Sequence, residues 1–152
     1  MITEGGMGLL YFKGEKFGNC TFRVVFNFEP NPNSGFYLRI PERPVEPWMP
    51  HNTGYDVHFG ERTSGFLYGY TKPPKNPLNW HTMEITLDGQ RTAVVLNGEP
   101  VAEHRGSDPA PPRTGWTIPF RGPRPDCGYI GLQNHGWGET TDVREVSVRQ
   151  NR

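Results

Sequence analysis

Apolar and polar residues alternate one by one through many short segments of this chain, and glycines and prolines interrupt the alternation. The clearest segment, 20–28, places Phe22, Val24 and Phe26 on one face and polar side chains on the other. A period of two is typical of a β-strand with one buried face. No stretch carries apolar residues at i, i+3, i+4 and i+7 over helical length, so the sequence predicts an all-β protein.

The composition separates a folded protein from a disordered chain. The 152 residues include 19 glycines and 16 prolines, a content close to that of disordered sequences. They also include 9 Phe, 6 Tyr and 4 Trp, and disordered chains are poor in aromatic side chains. Together these counts predict a folded protein with many turns, and the length suits one domain over residues 1–152.

Turn signals divide the chain into short strands. Asp88-Gly89 and Asn97-Gly98 are dipeptides typical of type I′ hairpin turns. The proline-rich segments 41–53 and 106–126 are predicted to be loops, and loops of this length usually bind something. About ten short strands without a helix predict two antiparallel sheets in a β-sandwich or jelly roll. Strands are expected at 8–12, 20–28, 36–40, 55–59, 81–87, 91–96, 100–104, 128–134 and 142–149.

Charge and hydropathy exclude several classes of protein. The 16 Lys and Arg balance the 16 Asp and Glu, and a neutral chain lacks the basic face of a nucleic-acid or membrane-surface binder. No apolar run approaches the roughly 20 residues of a membrane helix. No basic segment followed by an apolar run opens the chain, so we expect no signal peptide. The protein is then cytoplasmic if the chain is complete, and periplasmic or secreted if it has been trimmed.

The strand faces predicted to lie opposite the core carry unusual side chains. An ordinary solvent-facing sheet is rich in Thr, Lys, Glu and Ser, whereas these faces offer groups that hydrogen-bond to sugars or stack on them. One carboxylate and two imidazoles also supply groups for acid–base chemistry near neutral pH. The candidates are Tyr37 with Arg39, Asp56 with His58, and Gln133 with His135, beside Tyr129.

Each candidate has a simpler interpretation. Asp56 and His58 can form a solvated or salt-bridged pair with Arg39, and Gln133 can belong to a polar turn. The other histidines show no partner pattern and are assigned to the surface, whereas Trp80, beside a strand, is assigned to the core. The loop tryptophans are either anchors or sugar-stacking platforms. These histidines and tryptophans are His51, His81 and His104, and Trp48, Trp116 and Trp137.

The sequence leaves alternatives for metal binding and for the two cysteines. No Cys/His cluster has the spacing of a zinc site. Asp56, His58 and His135 can meet a divalent metal ion only if the fold brings them together, so the cofactor is unknown and a divalent metal is the one candidate. Cys20 and Cys127 either form a disulfide or are two small buried residues.

Several segments form an ordered set of motifs. They are NSGFYLR at 33–39, GYDVH at 54–58, SGFLYG at 64–69, NWHTMEI at 79–85, LNG at 96–98 and GYIGLQNHG at 128–136. The last one, together with VREVSV at 143–148, is the most specific. In this order the motifs resemble the 3-keto-disaccharide hydrolase domain family, and the resemblance runs over residues 8–149.

The resemblance implies a concanavalin A-like sandwich with a carbohydrate site on its concave face. It also implies cleavage of glycosides that are already oxidised at C3 of the sugar. A base removes the acidified C2 proton, the C1 substituent leaves by β-elimination, and water adds to the enone. The expected site residues are His58 or Asp56 as base, His135 as acid, Arg39 and Gln133 at the ketone or ring hydroxyls, and Tyr37, Tyr68, Trp48 and Trp137 as further substrate contacts.

Two other functions fit the same features. A non-catalytic carbohydrate-binding module uses the same scaffold, and it needs aromatic platforms and hydroxyl-binding groups but no titrating pair. A purely structural accessory domain is the third alternative. In the first two cases the partner is a carbohydrate, and exposed strand edges add a homodimer as a further expectation.

Overall fold

The computed structural model describes residues 1–3, 5–28, 33–42, 44, 46–47, 49–60, 80–108, 124–136 and 138–151, apart from the side chains of Thr3 and Asn52. No helix in this part of the chain is long and apolar enough to cross a membrane. The elements are β1 (Ile2–Thr3), β2 (Gly8–Phe17), β3 (Cys20–Phe28), β4 (Asn33–Ile40), α1 (Met49–Thr53), β5 (Tyr55–Gly60), β6 (His81–Asp88), β7 (Arg91–Leu96), β8 (Glu99–Arg105), β9 (Gly128–Asn134) and β10 (Thr141–Gln150).

The strands form two antiparallel sheets, as the alternation predicts. One sheet has six strands in the order β1-β10-β3-β6-β7-β8, and the other has four in the order β2-β9-β4-β5. In the four-stranded sheet β9 pairs with β2 and β4, which are far from it in sequence, whereas the paired strands β4 and β5 are consecutive. This sheet contains the predicted strands 36–40, 55–59 and 128–134, on which the sequence places most of the candidate site residues.

The core lies between the two sheets, on the faces that the sequence assigns to it. Phe22 and Phe26 of β3 are fully buried. Phe26 stacks on Phe59 of β5, with ring centroids 4.0 Å apart, and Phe22 meets the edge of Phe36 of β4 at 5.5 Å. Each fully buried side chain of this kind contributes roughly 1.5–3 kcal/mol to folding. These aromatic contacts therefore hold the four-stranded sheet against the six-stranded one.

The hairpin turns follow the predicted dipeptides, with one shift. Leu96 pairs with Glu99, and both residues between them, Asn97 and Gly98, have positive φ, at 52° and 86°. This is the type I′ conformation that Asn-Gly favours, and the prediction is confirmed. At the β6–β7 hairpin, Asp88 pairs with Arg91, so the turn is centred on Gly89 and the residue after it rather than on Asp88-Gly89.

A short helix occupies the end of the first predicted loop. Helix α1 packs against β4 and β5, and Thr53 Oγ1 donates a hydrogen bond of 3.0 Å to the Met49 carbonyl oxygen. Pro50 fits in the first turn because the N–H that it lacks has no acceptor within a helix there. A helix of five residues is too short to show a periodic apolar face, which is why the sequence predicts only a loop over 41–53.

Four predicted side-chain environments are wrong. His51, His81 and His104 are buried, with 8%, 1% and 6% of their surface exposed, rather than at the surface. Burial lowers the pKa of both His81 and His104. Trp80 is 40% exposed rather than in the core, and the Arg144 guanidinium lies over its ring at 3.9 Å. The period-two pattern of β6 already puts His81 on the buried face of Met83 and Ile85, whereas His51 lies on a short helix that the pattern does not show.

Both cysteines are free thiols. Cys20 is fully buried at the start of β3, and Cys127 is exposed. Burial raises the pKa of Cys20 to about 11, and nearby Arg39 opposes this effect only in part. The disulfide alternative is therefore not formed, and only Cys20 fits the description of a small buried residue.

An apolar cavity of about 480 Å³ opens between the edges of the two sheets, where β2 and β10 lie. Its lining is apolar apart from Tyr11, Glu15 and Ser147, so it offers few groups that would bind a sugar. The lining side chains that are exposed to solvent are Leu10, Phe12, Val146 and Val148.

The homodimer expected from exposed strand edges stays a prediction.

Candidate functional site

The side of the four-stranded sheet opposite the core gathers most of the predicted site residues. In the register of β4 with β5, Gly35 lies opposite His58 and Tyr37 lies opposite Asp56. The register of β4 with β9 places Gln133 on the other side of Gly35. Because alternate residues of a strand share a face, these side chains point away from the core together. We call the surface formed by Gly35, Tyr37, Asp56, His58 and Gln133 the polar face.

Asp56 is held by a histidine that the sequence analysis assigns to the surface. Nδ1 of His51, on α1, lies 2.9 Å from Oδ2 of Asp56. A carboxylate only accepts hydrogen bonds, so the imidazole donates from Nδ1. The two side chains are 8% and 4% exposed, so the pair is shielded from solvent. The packing of α1 against β4 and β5 therefore delivers a hydrogen-bond donor to the polar face.

Gly35 provides the space in which the Asp56 carboxylate lies. A Cβ atom at Gly35 would overlap Oδ1 of Asp56 and would stand 3.5 Å from Oε1 of Gln133. Oδ1 is buried, and no hydrogen-bond partner for it lies among the residues that the structure describes. Any side chain at position 35 would displace the carboxylate, so the glycine sets the position of Asp56.

His58 is a titratable group of the polar face, on the edge strand β5. Asp56 and His58 are alternate residues of β5, so both side chains lie on the same face of that strand. Burial lowers the pKa of His58, the Asp56 carboxylate opposes this, and the neighbouring imidazoles His135 and His51 lower the pKa further. The imidazole of His58 is therefore neutral at neutral pH, and a neutral imidazole can accept a proton.

His135 lies just after β9 and carries its own carboxylate partner. Its Nδ1 lies 2.9 Å from Oε2 of Glu139. The turn between them closes through Gly136, which has a φ of 93° and whose carbonyl oxygen accepts a hydrogen bond from the Glu139 amide. His135 and Glu139 are 29% and 21% exposed, so this pair is more open to solvent than the pair of His51 and Asp56.

Tyr37 and Gln133 complete the polar face. Tyr37 is fully buried, and burial together with the nearby Asp56 carboxylate raises the pKa of its hydroxyl far above the usual range. The hydroxyl oxygen has no hydrogen-bond partner within the described residues. Gln133 is 8% exposed, and its carbonyl oxygen accepts a hydrogen bond of 2.6 Å from Ser34 Oγ, which fixes the backbone beneath its side chain.

Arg39 does not lie on the polar face, and the prediction that it shares a face with Tyr37 is wrong. Its φ is 53°, and the register of β4 with β9 shifts between Tyr37 and Ile40. The side chain instead reaches the six-stranded sheet, where Nη2 donates a hydrogen bond of 2.5 Å to the Gly89 carbonyl oxygen. Its guanidinium also lies 5.8 Å from the ring centre of Tyr55, a core residue. The irregular backbone at position 39 breaks the alternation on which the prediction rested.

Several predicted substrate contacts lie outside the described residues. They are Tyr68, Trp48 and Trp137, together with the loop residue Trp116. Two residues that sequence reasoning missed, His51 and Glu139, lie inside the site. The spacing His51–Asp56 and the i, i+4 spacing His135–Glu139 are present in the sequence, but neither is distinctive without knowledge of the turn or helix that brings each pair together.

The polar face shows no ready metal centre. Among the residues that the structure describes, no group of three or more His, Cys, Asp and Glu side chains has a geometry that could hold a metal ion. Asp56, His58 and His135 are neighbours, but Asp56 and His135 are hydrogen-bonded to His51 and Glu139. The arrangement instead offers a neutral base, a second imidazole and a buried carboxylate, which are groups for proton transfer.

The sequence matches the model of one protein family over residues 1–149, and that family is described as the 3-keto-α-glucoside-1,2-lyase-like domain. No curated protein sequence matches the chain.

Solved structures with the same fold include two candidate glycosyl hydrolases from Parabacteroides distasonis ATCC 8503. One is 20% identical, with a TM-score of 0.74 over 95% of this chain and 84% of that one, and the other is 15% identical, with a TM-score of 0.76 over 99% and 80%. The carbohydrate-binding module CBM66 from Bacillus subtilis is 12% identical, with a TM-score of 0.63 over 97% and 84%. At these identities the likeness shows the fold alone, and it confirms the predicted jelly-roll sandwich.

Proposed function

This chain belongs to the 3-keto-α-glucoside-1,2-lyase-like domain family of carbohydrate-active, glycosyl hydrolase-like proteins, and on that premise we propose that it cleaves 3-keto-α-glucosides by β-elimination on the polar face. The ketone at C3 acidifies the C2 proton. Removal of that proton and departure of the C1 oxygen with the bonding electrons leave a C1–C2 double bond conjugated with the ketone. Addition of water across this bond gives the free 3-keto sugar, with no net oxidation or reduction.

His58 is the base that takes the C2 proton in this proposal. The environment of His58 carries this assignment. Burial lowers the pKa of the His58 imidazole, and the Asp56 carboxylate and the His135 imidazole lie near it. A neutral imidazole at working pH can accept a proton, and a nearby carboxylate stabilises the imidazolium that results. A positioned general base contributes roughly 10²–10⁴-fold to the rate.

His135 is the acid that protonates the departing C1 oxygen, and Gln133 binds the ketone or a ring hydroxyl. His135 is the more exposed of the two site imidazoles with a carboxylate partner, and its Nδ1 is occupied by Glu139, which leaves Nε2 for the leaving group. The buried Tyr37 hydroxyl stays protonated, and in this proposal it lies beneath the polar face near the Asp56 carboxylate. Arg39 has no part in this proposal, because its guanidinium lies between the sheets.

A carbohydrate-binding module is the alternative function. The observation that favours it is that both acidic groups of the site are already hydrogen-bonded to histidines, as in a structural network that needs no turnover. The carbohydrate-binding module CBM66 shares the fold, and a jelly roll serves both uses.

Incubation with methyl 3-keto-α-D-glucopyranoside and with unoxidised methyl α-D-glucopyranoside separates the two functions. We expect methanol release from the keto sugar alone, with transient absorbance of the enone. Calorimetric binding of the unoxidised glucoside without release from the keto form would support the binding module and refute the elimination.

Two substitutions test the assignment of the base. His58→Gln should lower kcat roughly 10²-fold or more, whereas His104→Gln replaces a buried histidine on β8, away from the polar face, and should leave kcat per folded molecule unchanged. Folding of both variants is checked by thermal unfolding. Equal losses in the two variants would refute the catalytic assignment of His58.

A further inference from the structure

Two imidazoles lie near the Asp56 carboxylate, one on α1 and the other on its own strand β5. His51 Nδ1 binds Oδ2 at 2.9 Å from the side of α1. His58, two residues along β5 on the same face, is close enough for the carboxylate charge to act on it. The chain thus places His51, Asp56 and His58 next to one another across a helix and a strand.

The position of the carboxylate has two determinants. On one side Gly35 leaves room for Oδ1, and on the other His51 holds Oδ2. Because a single bond connects the carboxylate to Cβ, loss of the donor at His51 would let the group rotate about that bond toward water. A buried charge acts more strongly on its neighbours than a solvated one, so rotation into water would weaken its effect on His58.

We propose that His51 is a positioning residue of this site: its hydrogen bond holds the buried Asp56 carboxylate beside His58, where the negative charge stabilises the imidazolium that forms when His58 takes the C2 proton. His51 touches neither the sugar nor the proton in this mechanism and acts through Asp56. The inference rests on the proposed function for its catalytic consequence, and on the geometry of the three side chains for its electrostatic one.

Other titratable side chains also lie on the polar face or beside it. The His135 imidazole, with its partner Glu139, lies toward the end of β9, and the Tyr37 hydroxyl lies on β4. His51 itself, as a nearby imidazole, lowers the pKa of His58, whereas Asp56 raises it. The direct effect of His51 and its effect through Asp56 therefore have opposite signs, and the sign of the change on removing His51 tells them apart.

The test is an NMR titration of His58 in the wild-type protein, Asp56→Asn, His51→Ala and His51→Asn. Asp56→Asn removes the charge at constant shape and should lower the pKa of His58. If His51 acts by positioning Asp56, His51→Ala should lower the pKa of His58 as well, and His51→Asn, which keeps a donor near the Nδ1 position, should restore it. A pKa of His58 that rises or stays the same in His51→Ala would overturn the proposal.

Kinetics with methyl 3-keto-α-D-glucopyranoside supply the second measurement. His51→Ala should lower kcat about tenfold with KM within about twofold, and His51→Asn should recover most of the loss. Thr53→Val removes a hydrogen bond within α1 without touching Asp56, and it should leave kcat unchanged. A loss in Thr53→Val equal to that in His51→Ala would assign the effect to the helix as a whole.

The two readouts separate this inference from the proposed function. An inactive wild-type protein with the expected order of His58 pKa values would refute the elimination and leave the positioning of Asp56 standing. An active wild-type protein with an unaltered His58 in His51→Ala would refute the positioning alone. If His51→Ala does not fold, His51→Phe is used instead in both measurements, because it keeps an aromatic ring but has no hydrogen-bond donor.

Discussion

Gly35 on β4 and Asp56 on β5 occupy one space between them: the carboxylate Oδ1 lies where a side chain at position 35 would begin. The two residues are diagonal neighbours in the sheet, since Gly35 pairs with His58 and Tyr37 pairs with Asp56. The glycine is therefore needed for the shape of the site rather than for a turn. This relationship connects a backbone feature of one strand with the charge that acts on His58 in the next.

A methyl group at Gly35 should disturb the site more than the fold. We expect Gly35→Ala to displace Asp56 and to lower kcat/KM for methyl 3-keto-α-D-glucopyranoside about tenfold or more. Overpacking should cost roughly 1–3 kcal/mol of unfolding free energy. Steady-state kinetics and urea unfolding measure the two effects. Gly6→Ala is the matched control, since nothing lies within 4 Å of a Cβ at Gly6. Unaltered kinetics in folded Gly35→Ala would contradict the placement of the Asp56 carboxylate by Gly35.

Arg39 and Gln133 should differ in their effects on sugar binding. Arg39 directs its guanidinium to the Gly89 carbonyl oxygen, away from the polar face, whereas Gln133 lies beside Gly35. Arg39→Met should therefore leave the affinity for methyl α-D-glucopyranoside within about twofold per folded molecule, and Gln133→Ala should weaken it by at least fivefold, about 1 kcal/mol for a lost hydrogen bond. Titration calorimetry measures both affinities. The reverse order would restore Arg39 to the site.

Asn97 should contribute to stability through its backbone conformation and its side chain together. Its φ is 52°, its Oδ1 accepts a hydrogen bond of 2.9 Å from the Thr82 amide, and its Nδ2 donates one of 3.1 Å to His81 Nδ1. Asn97→Ala loses both bonds and strains the left-handed conformation, so we expect a loss of about 3 kcal/mol in unfolding free energy. Asn97→Gly loses both bonds without the strain and should cost about 2 kcal/mol. Urea unfolding gives both values, and a glycine variant less stable than the alanine variant would argue against the strain.

Stability should fall as the pH is lowered from 7.5 to 5. Burial lowers the pKa of His58, His81 and His104 in the folded protein below the usual value of about 6.5. Below pH 6.5 the unfolded chain therefore binds more protons than the folded one, and the free energy of unfolding rises with pH. The stability that the three neutral imidazoles contribute is fully present above pH 6.5. It is lost progressively as the pH falls from 6.5 toward their lowered pKa values.

Urea unfolding at several pH values measures this dependence, and its slope gives the number of protons taken up on unfolding. His104→Gln removes one of the three groups and should make the slope shallower between pH 6.5 and 5. A free energy of unfolding that is constant, or that increases toward pH 5, would show that these imidazoles are not buried in their neutral form.

The local sequence pattern predicted the structure correctly wherever a single strand or a single turn determines it. Alternation in 20–28 assigned Phe22 and Phe26 to the core because a strand exposes successive side chains on opposite faces. The same rule placed Asp56 and His58 together on the other face. Asn97-Gly98 formed the turn that its tolerance of positive φ favours.

The same rule failed where the backbone left regular geometry. Arg39 has a positive φ at a shift in register, so its side chain leaves the face of Tyr37 and enters the space between the sheets. His51 has no strand neighbour to indicate its side, and the five residues of α1 carry no periodic signal. Its burial against Asp56 could not be inferred from spacing alone.

The sequence by itself determined that this protein is an all-β jelly roll of one family, because alternation, turn dipeptides and family motifs are all local in the chain. Only the tertiary structure decided which side chains form the site. Strands 36–40, 55–59 and 128–134 are neighbours through long-range pairing, and α1 and the turn after β9 deliver His51 and Glu139 to carboxylate and imidazole partners. These contacts depend on where α1 and the turn after β9 pack against the sheet. Hydrogen bonding and burial determine those positions only in the packed structure.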